Sequence, residues 1–326
     1  MRELVLVFPD LHPLPDGAPA VGDDPLRLRF AAVRPLSGGW RAALARLLGR
    51  EDLALAAPAE LVAAAHGAQA QEWWLATPMH WQAGLTRVHV PPDAVLQLSE
   101  SELEEVAQSF ARTFGDDGLA LLPIAGGHWL MRGLETDGAD VPEPERLLGT
   151  TLDHELVRGA GASRLRALGS EIEMWLHGLP LNARREQAGL PRICALWLWG
   201  GGVMRRDGIA VDVRPVATED VQANAHTVFC AADPWLRAAC TLAAHECASP
   251  QRDADTTLEA LLATDTDRGV FVGRFDRAAY ELAMARVRDG SLRRASVLGS
   301  DRMTELAAGD QWRLWRPRRS LLEALA

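Results

Sequence analysis

Lysine is absent from the 326-residue chain: all 34 basic residues are arginine, set against 44 acidic ones for a formal charge of −10. That balance argues against a nucleic-acid binder working through a broad basic face, because neutralising phosphates takes many clustered cations. Only WRLWRPRRS, 312–320, is locally basic. Its interleaved tryptophans resemble a base-stacking platform, but a terminal strand with solvated arginines is the simpler expectation. Cysteine is scarce as well. Cys194, Cys230, Cys240 and Cys247 in so long a chain form no disulfide framework and fit a reducing compartment. No window reaches eighteen apolar residues. The start, RELVLVFPD, lacks the charged, apolar and small-residue regions of a secretory leader, so a cytoplasmic protein with no membrane partner is expected. There is no GxSxG elbow, Walker A loop, GxGxxG after a strand, HExxH, internal repeat or low-complexity segment.

What is present suffices for two domains, or for one with a large insertion, since 48% of the residues are hydrophobic. Residues 3–8, ELVLVF, form an apolar run ending at Pro9-Asp10, which predicts a central strand with a carboxylate at its C-terminal end. Open α/β sheets place ligands there. A Pro-, Gly- and Asp-rich loop over 11–38 precedes expected helices at 40–48 and 59–65. From about 72 to 192 the pattern changes. Strands at 73–75 and 87–90 lead to a helix opening with a capping box, Ser99 to Glu102. LALLPI and HWLMRG then flank a glycine turn, and Leu165, Leu168, Ile172, Trp175 and Leu176 share one face of a helix over 163–178. With a buried strand at 193–199, covered on both faces and set in a sheet interior, this order completes a split βαβ, ferredoxin-like unit. After 202, strands at 211–216, 227–230, 269–273, 295–299 and 312–315 alternate with helices at 234–246 and 277–288. The expected class is therefore α/β: a mostly parallel core over 1–70 and 200–326, with an inserted α+β domain over 71–199.

The stretch LPLNARREQAGLPRICALWLWGGG, 179–202, sets Asn182, Arg184 and Arg185 ahead of an apolar strand that stops at Gly200, Gly201 and Gly202. Guanidinium forks match carboxylates and phosphates, and glycines let backbone approach a ligand or another backbone. A buried strand, a glycine turn and solvated arginines would give the same pattern. Asp10 with His12, and Asp153 with His154, pair the ligand types that metal-dependent phosphoryl transfer uses, although both residue types are common in loops. His226, Cys230, Cys240, His245 and Cys247 could bind zinc on paper, yet their spacing matches no paired CxxC pattern, and a packed helix is favoured. Ser37, before the first helix, is a weak candidate nucleophile.

The run from TTLDH, 150–154, through LPLNARREQAGLP to ALWLWGGG resembles the archaeal-type cofactor-independent phosphoglycerate mutases. Across the whole chain, WLHxLPLNxxR and LWxWGGG resemble the bacterial RpfE-type regulatory proteins. The resemblance implies an alkaline-phosphatase-like core with an inserted α+β domain, and puts Asp10 where the mutases keep their first metal-binding aspartate. Two departures stand out. Residues 49–72 contain no serine to serve as nucleophile, and 269–276 hold an aspartate but no histidine. The resemblance thus implies a degenerate mutase with a regulatory role, no cofactor, and a retained surface of Asp153, His154, Asn182, Arg184, Arg185, Gly200 and Gly201 for a small anionic metabolite or a protein partner. The alternative is an active mutase or phosphatase that uses manganese or another divalent metal at Asp10, Asp153 and His154.

Overall fold

The computed structural model describes all residues except 12–27, 32, 69–70, 85–86, 137, 153–155, 202–226, 251–252, 314, 320 and 322–326. Two compact units divide the chain, one of Met1–Ala54 with Arg214–Ala326 and the other of Leu55–Val213.

The first unit begins with β1 (Glu3–Val7), the two-residue β2 (Arg34–Pro35) and helix α1 (Gly39–Leu47). Leu4, Leu6 and Val7 are all buried, as an apolar run without alternation requires of a strand covered on both faces.

The second unit opens with α2 (Pro58–Ala65), whose Pro58 takes the first helical turn, where its missing N–H costs nothing. Next come β3 (Trp73–Met79), the short β4 (Gln82–Ala83) and β5 (Val88–His89), and α3 (Glu100–Phe114). The capping box forms: Ser99 Oγ accepts the Glu102 N–H, and the Glu102 carboxylate accepts the Ser99 N–H at 2.8 Å. The hairpin of β6 (Ala120–Ile124) and β7 (His128–Arg132) follows, turning through Gly126 and Gly127 at φ of 95° and 85°. Short strands β8 (Ala139–Asp140), β9 (Thr151–Leu152) and β10 (Arg158–Gly159) lead to α4 (Ala162–His177), α5 (Pro180–Gln187) and β11 (Ala195–Trp199). The main sheet runs β11-β3-β7-β6 with every neighbour antiparallel. Phe110, Trp129, Ile172, Leu176, Leu196 and Leu198 share its core with α3 and α4. Within the sheet, Trp199 Nε1 donates to Thr77 Oγ1 at 2.8 Å, and Thr77 Oγ1 lies 3.0 Å from His128 Nδ1. Burial pushes the His128 pKa down to about 4.

The first unit resumes with β12 (Thr227–Ala231), α6 (Pro234–Leu242), β13 (Cys247–Ala248), α7 (Ala254–Leu262), β14 (Arg268–Val272), α8 (Arg277–Arg288), β15 (Arg294–Leu298) and β16 (Arg302–Ala307). Its sheet runs β13-β12-β14-β1-β15-β16-β2, parallel from β13 to β15 and antiparallel at β16 and β2. The class is thus mixed α/β, with a mostly parallel sheet and additional antiparallel ones.

Four expectations need correction or addition. Among the described residues β11 is the outer strand of its sheet, not an interior one; it is apolar on both faces because α4 packs against it and Trp197 joins a second cluster with Met79 and Val90. Helix α5 occupies residues read as a polar rim. At the tail, where a strand was expected over 312–315, Trp312 instead ends a 3-10 turn over Asp310–Trp312, and Leu314 lies outside the described residues; the buried Asp310 carboxylate accepts the Ala307 N–H and gathers Arg313 and Arg316. Strand β16 and helix α7 were not anticipated. The expected strand at 211–216 lies outside the described residues. No described helix is long and apolar enough to cross a membrane.

Candidate functional site

Asp10 stands just past β1, at the carboxyl edge of the parallel strands, where the sheet topology directs a search for ligands. It is buried, and the Phe275 N–H, in the loop after β14, lies 2.9 and 3.0 Å from its two carboxylate oxygens. Burial raises its pKa, opposed by the hydrogen bonds from Phe275 and its own backbone and by the positive charge of Arg274. Asp276, next in that loop, caps α8 by accepting the Ala279 N–H at 2.8 Å. The aspartate at the end of 269–276 thus starts a helix.

Ser37 is exposed and lies one residue before Gly38, the left-handed cap of α1. Its carbonyl faces Arg46 at 3.5 Å, and no described base reaches its hydroxyl. Two of the first N–H groups of α1 are already used: Gly39 donates to the Leu36 carbonyl and Trp40 to the Ser300 carbonyl. Beside them lies a cluster the sequence reading passed over. Trp40 and Trp235 meet edge to face at 5.6 Å, the Arg41 guanidinium lies 4.5 Å from the Trp40 ring centre, and Arg41 sits 4.0 Å from Asp233. The signal for it is Asp-Pro-Trp at 233–235, a helix start with a capping aspartate.

In the second unit, the residues expected to form an anion rim are held by the protein itself. Asn182 is 1% exposed. Its Nδ2 donates to the carbonyls of Leu176 and Ile193 at 2.8 and 2.9 Å, and its Oδ1 accepts the Ile193 N–H at 2.8 Å. Arg185 is buried; its Nε donates to the Pro191 carbonyl at 2.8 Å and its Nη1 pairs with Glu102 at 2.5 Å. Arg184 projects outward and pairs with Glu105. Gly200 and Gly201 serve close packing: a Cβ at Gly201 would meet the Trp74 ring at 2.3 Å, while Gly200 takes φ of 66° and would meet Pro58. His12, Asp153 and His154 lie outside the described residues.

Among the described residues no three His, Cys, Asp or Glu side chains gather as a metal site would require. Asp10 provides one carboxylate, already turned to a backbone N–H, and no step is assigned to a cation. Of the cysteine cluster, Cys230 and Cys240 are buried in packed core, and a hydrogen bond with Cys240 holds the Cys247 thiol below its usual range. His226 lies outside the described residues.

Neither a protein-family model nor a curated protein matches the chain. Solved structures do. The cofactor-independent phosphoglycerate mutase from Thermoplasma acidophilum DSM 1728 is 14% identical, with 99% of this chain and 94% of that one covered at a TM-score of 0.41. The PH0037 protein from Pyrococcus horikoshii is 10% identical, with 99% and 92% covered at a TM-score of 0.44.

Proposed function

We propose that this chain acts by binding and not by turnover: a regulatory, phosphoglycerate-mutase-like protein without the phosphoryl-transfer chemistry, whose ligand is a protein partner. The observation that carries the reading is where the polar groups go. The Asp10 carboxylate meets the Phe275 N–H, Asp276 caps a helix, and Ser37 has no described base. A phosphoryl transferase needs an activated nucleophile and charge stabilisation aimed at the reacting group, each contributing several kcal/mol. A small anionic metabolite is the less favoured ligand, because Arg184 and Arg185 are paired with Glu105 and Glu102.

The test is interconversion of 3-phosphoglycerate and 2-phosphoglycerate by purified protein, metal-stripped and then supplied with manganese, beside an Asp10→Asn control. The reading expects no turnover in either form. Manganese-dependent turnover that disappears in Asp10→Asn would replace it with an active mutase.

A further inference from the structure

Among the described residues, one strand edge in the second unit is sealed at both ends and unpaired between them. β11 has, among the described residues, a neighbour, β3, on one side only. Its pairing shows which peptide groups face outward. Leu196 lies opposite Pro78, and the Pro78 carbonyl accepts the Leu96 N–H at 3.0 Å, so it is turned from β11. Antiparallel pairs alternate between residues that exchange hydrogen bonds and residues that both point away. Leu196 and Leu198 therefore direct their N–H and C=O groups to the free side. Upstream, the Asn182 amide occupies both the N–H and the carbonyl of Ile193. Downstream, the Gly200 carbonyl accepts the Ala59 N–H at 2.9 Å. Between these seals, no described group meets the outward peptide groups of Leu196 and Leu198.

A cavity of about 760 Å³ lies there, lined in succession by Ala195, Leu196, Trp197 and Leu198. Successive side chains point to opposite faces of a sheet, so a cavity that touches four in a row reaches the strand's edge. Arg166 and Glu173 of α4 form one wall, and Trp81 and Arg87 belong to another.

We propose that the β11 edge docks an extended peptide segment of a partner protein, which adds a strand along Leu196–Leu198 and sets an acidic side chain against Arg87 and Arg166. The assignment rests on the binding reading above and names its surface. Folded proteins cover or blunt open edges, and here the covering stops where the cavity begins. Two outward peptide groups two residues apart, about 6.6 Å along the strand, match an extended backbone. Main-chain bonds would supply affinity, and the apolar lining around Trp81 and Trp197 would receive alternate side chains. Among the described lining residues, two arginines stand against the one carboxylate of Glu173, which favours an acidic residue.

The full-length protein is screened against a displayed library of ten-residue peptides, and enriched sequences are made with selected peptide nitrogens methylated. The expected binders alternate apolar residues around an Asp or Glu. They lose about tenfold in affinity when alternate nitrogens in one phase are methylated and little in the other phase. They also slow hydrogen exchange at Leu196 and Leu198 and bind Arg87→Glu more weakly. Binders indifferent to methylation phase, or leaving the Leu198 amide unprotected, would overturn this site while preserving a partner elsewhere. Protection that rises with protein concentration, without peptide, would assign the edge to a second copy and overturn the peptide assignment. No enrichment would overturn the peptide site, whereas phosphoglycerate turnover would remove the binding reading alone.

Discussion

Asp10 in the first unit and Asn182 in the second occupy comparable positions in the argument from sequence: each is a polar residue beside a buried strand where a ligand was expected. Both are buried, and both hold backbone groups of their own unit, Asp10 the Phe275 N–H and Asn182 both polar groups of Ile193. The consequences differ. The Asp10 contact ties the loops after two adjacent parallel strands inside a sheet, leaving no edge exposed. The Asn182 contact seals one end of an outer strand whose middle meets no described backbone partner on that side. Polar residues at a strand's end can therefore point to a site without being the site.

Adjacent arginines sharpen this comparison most. Arg185 has a side chain 4% exposed and pairs with Glu102, whereas Arg184 is 54% exposed and pairs with Glu105. Removing one partner of a buried pair strands the other charge, so Arg185→Ala should lower unfolding free energy by about 3 kcal/mol. Arg184→Ala should change it by less than about 0.5 kcal/mol. Urea titration of both variants checks this, and equal effects would contradict the division of roles.

The two units should also respond oppositely to pH. His128 titrates near 4 when folded, below its ordinary value, so its contribution is complete above about pH 6.5 and lost as pH falls towards 4. The loss reaches about 3 kcal/mol, and His128→Gln should remove it. Asp10 has a raised pKa, so its ionisation weakens the fold as pH rises above the ordinary carboxylate range. Asp10→Asn keeps an acceptor for Phe275 and should raise the urea midpoint slightly at pH 7, a gain that fades towards pH 4. A lower midpoint at pH 7 would mean that the charge itself is needed.

Much of the fold was legible in local pattern. The unbroken apolar run of β1, the Ser99–Glu102 box and the glycines at 126–127 each fix geometry through near neighbours. Helix α5 was not legible because PLNARREQ carries no apolar stripe and is held by contacts made elsewhere. The edge position of β11 was hidden because helix cover and a second apolar cluster bury its faces as fully as a sheet interior would. The site was less legible still. Whether Asn182, Arg185 and Asp10 face a ligand depends on partners 11, 83 and 265 residues away in sequence, and no local spacing encodes those.

The central claim is that residues 179–201 build and partly seal a strand whose middle remains open. Residue-resolved hydrogen exchange on the free protein tests it most directly. The account predicts slow exchange at Ile193 and Trp197, whose N–H groups are bonded, and fast exchange at Leu196 and Leu198, whose N–H groups face the cavity. Protection of Leu196 and Leu198 equal to that of Trp197 would contradict it.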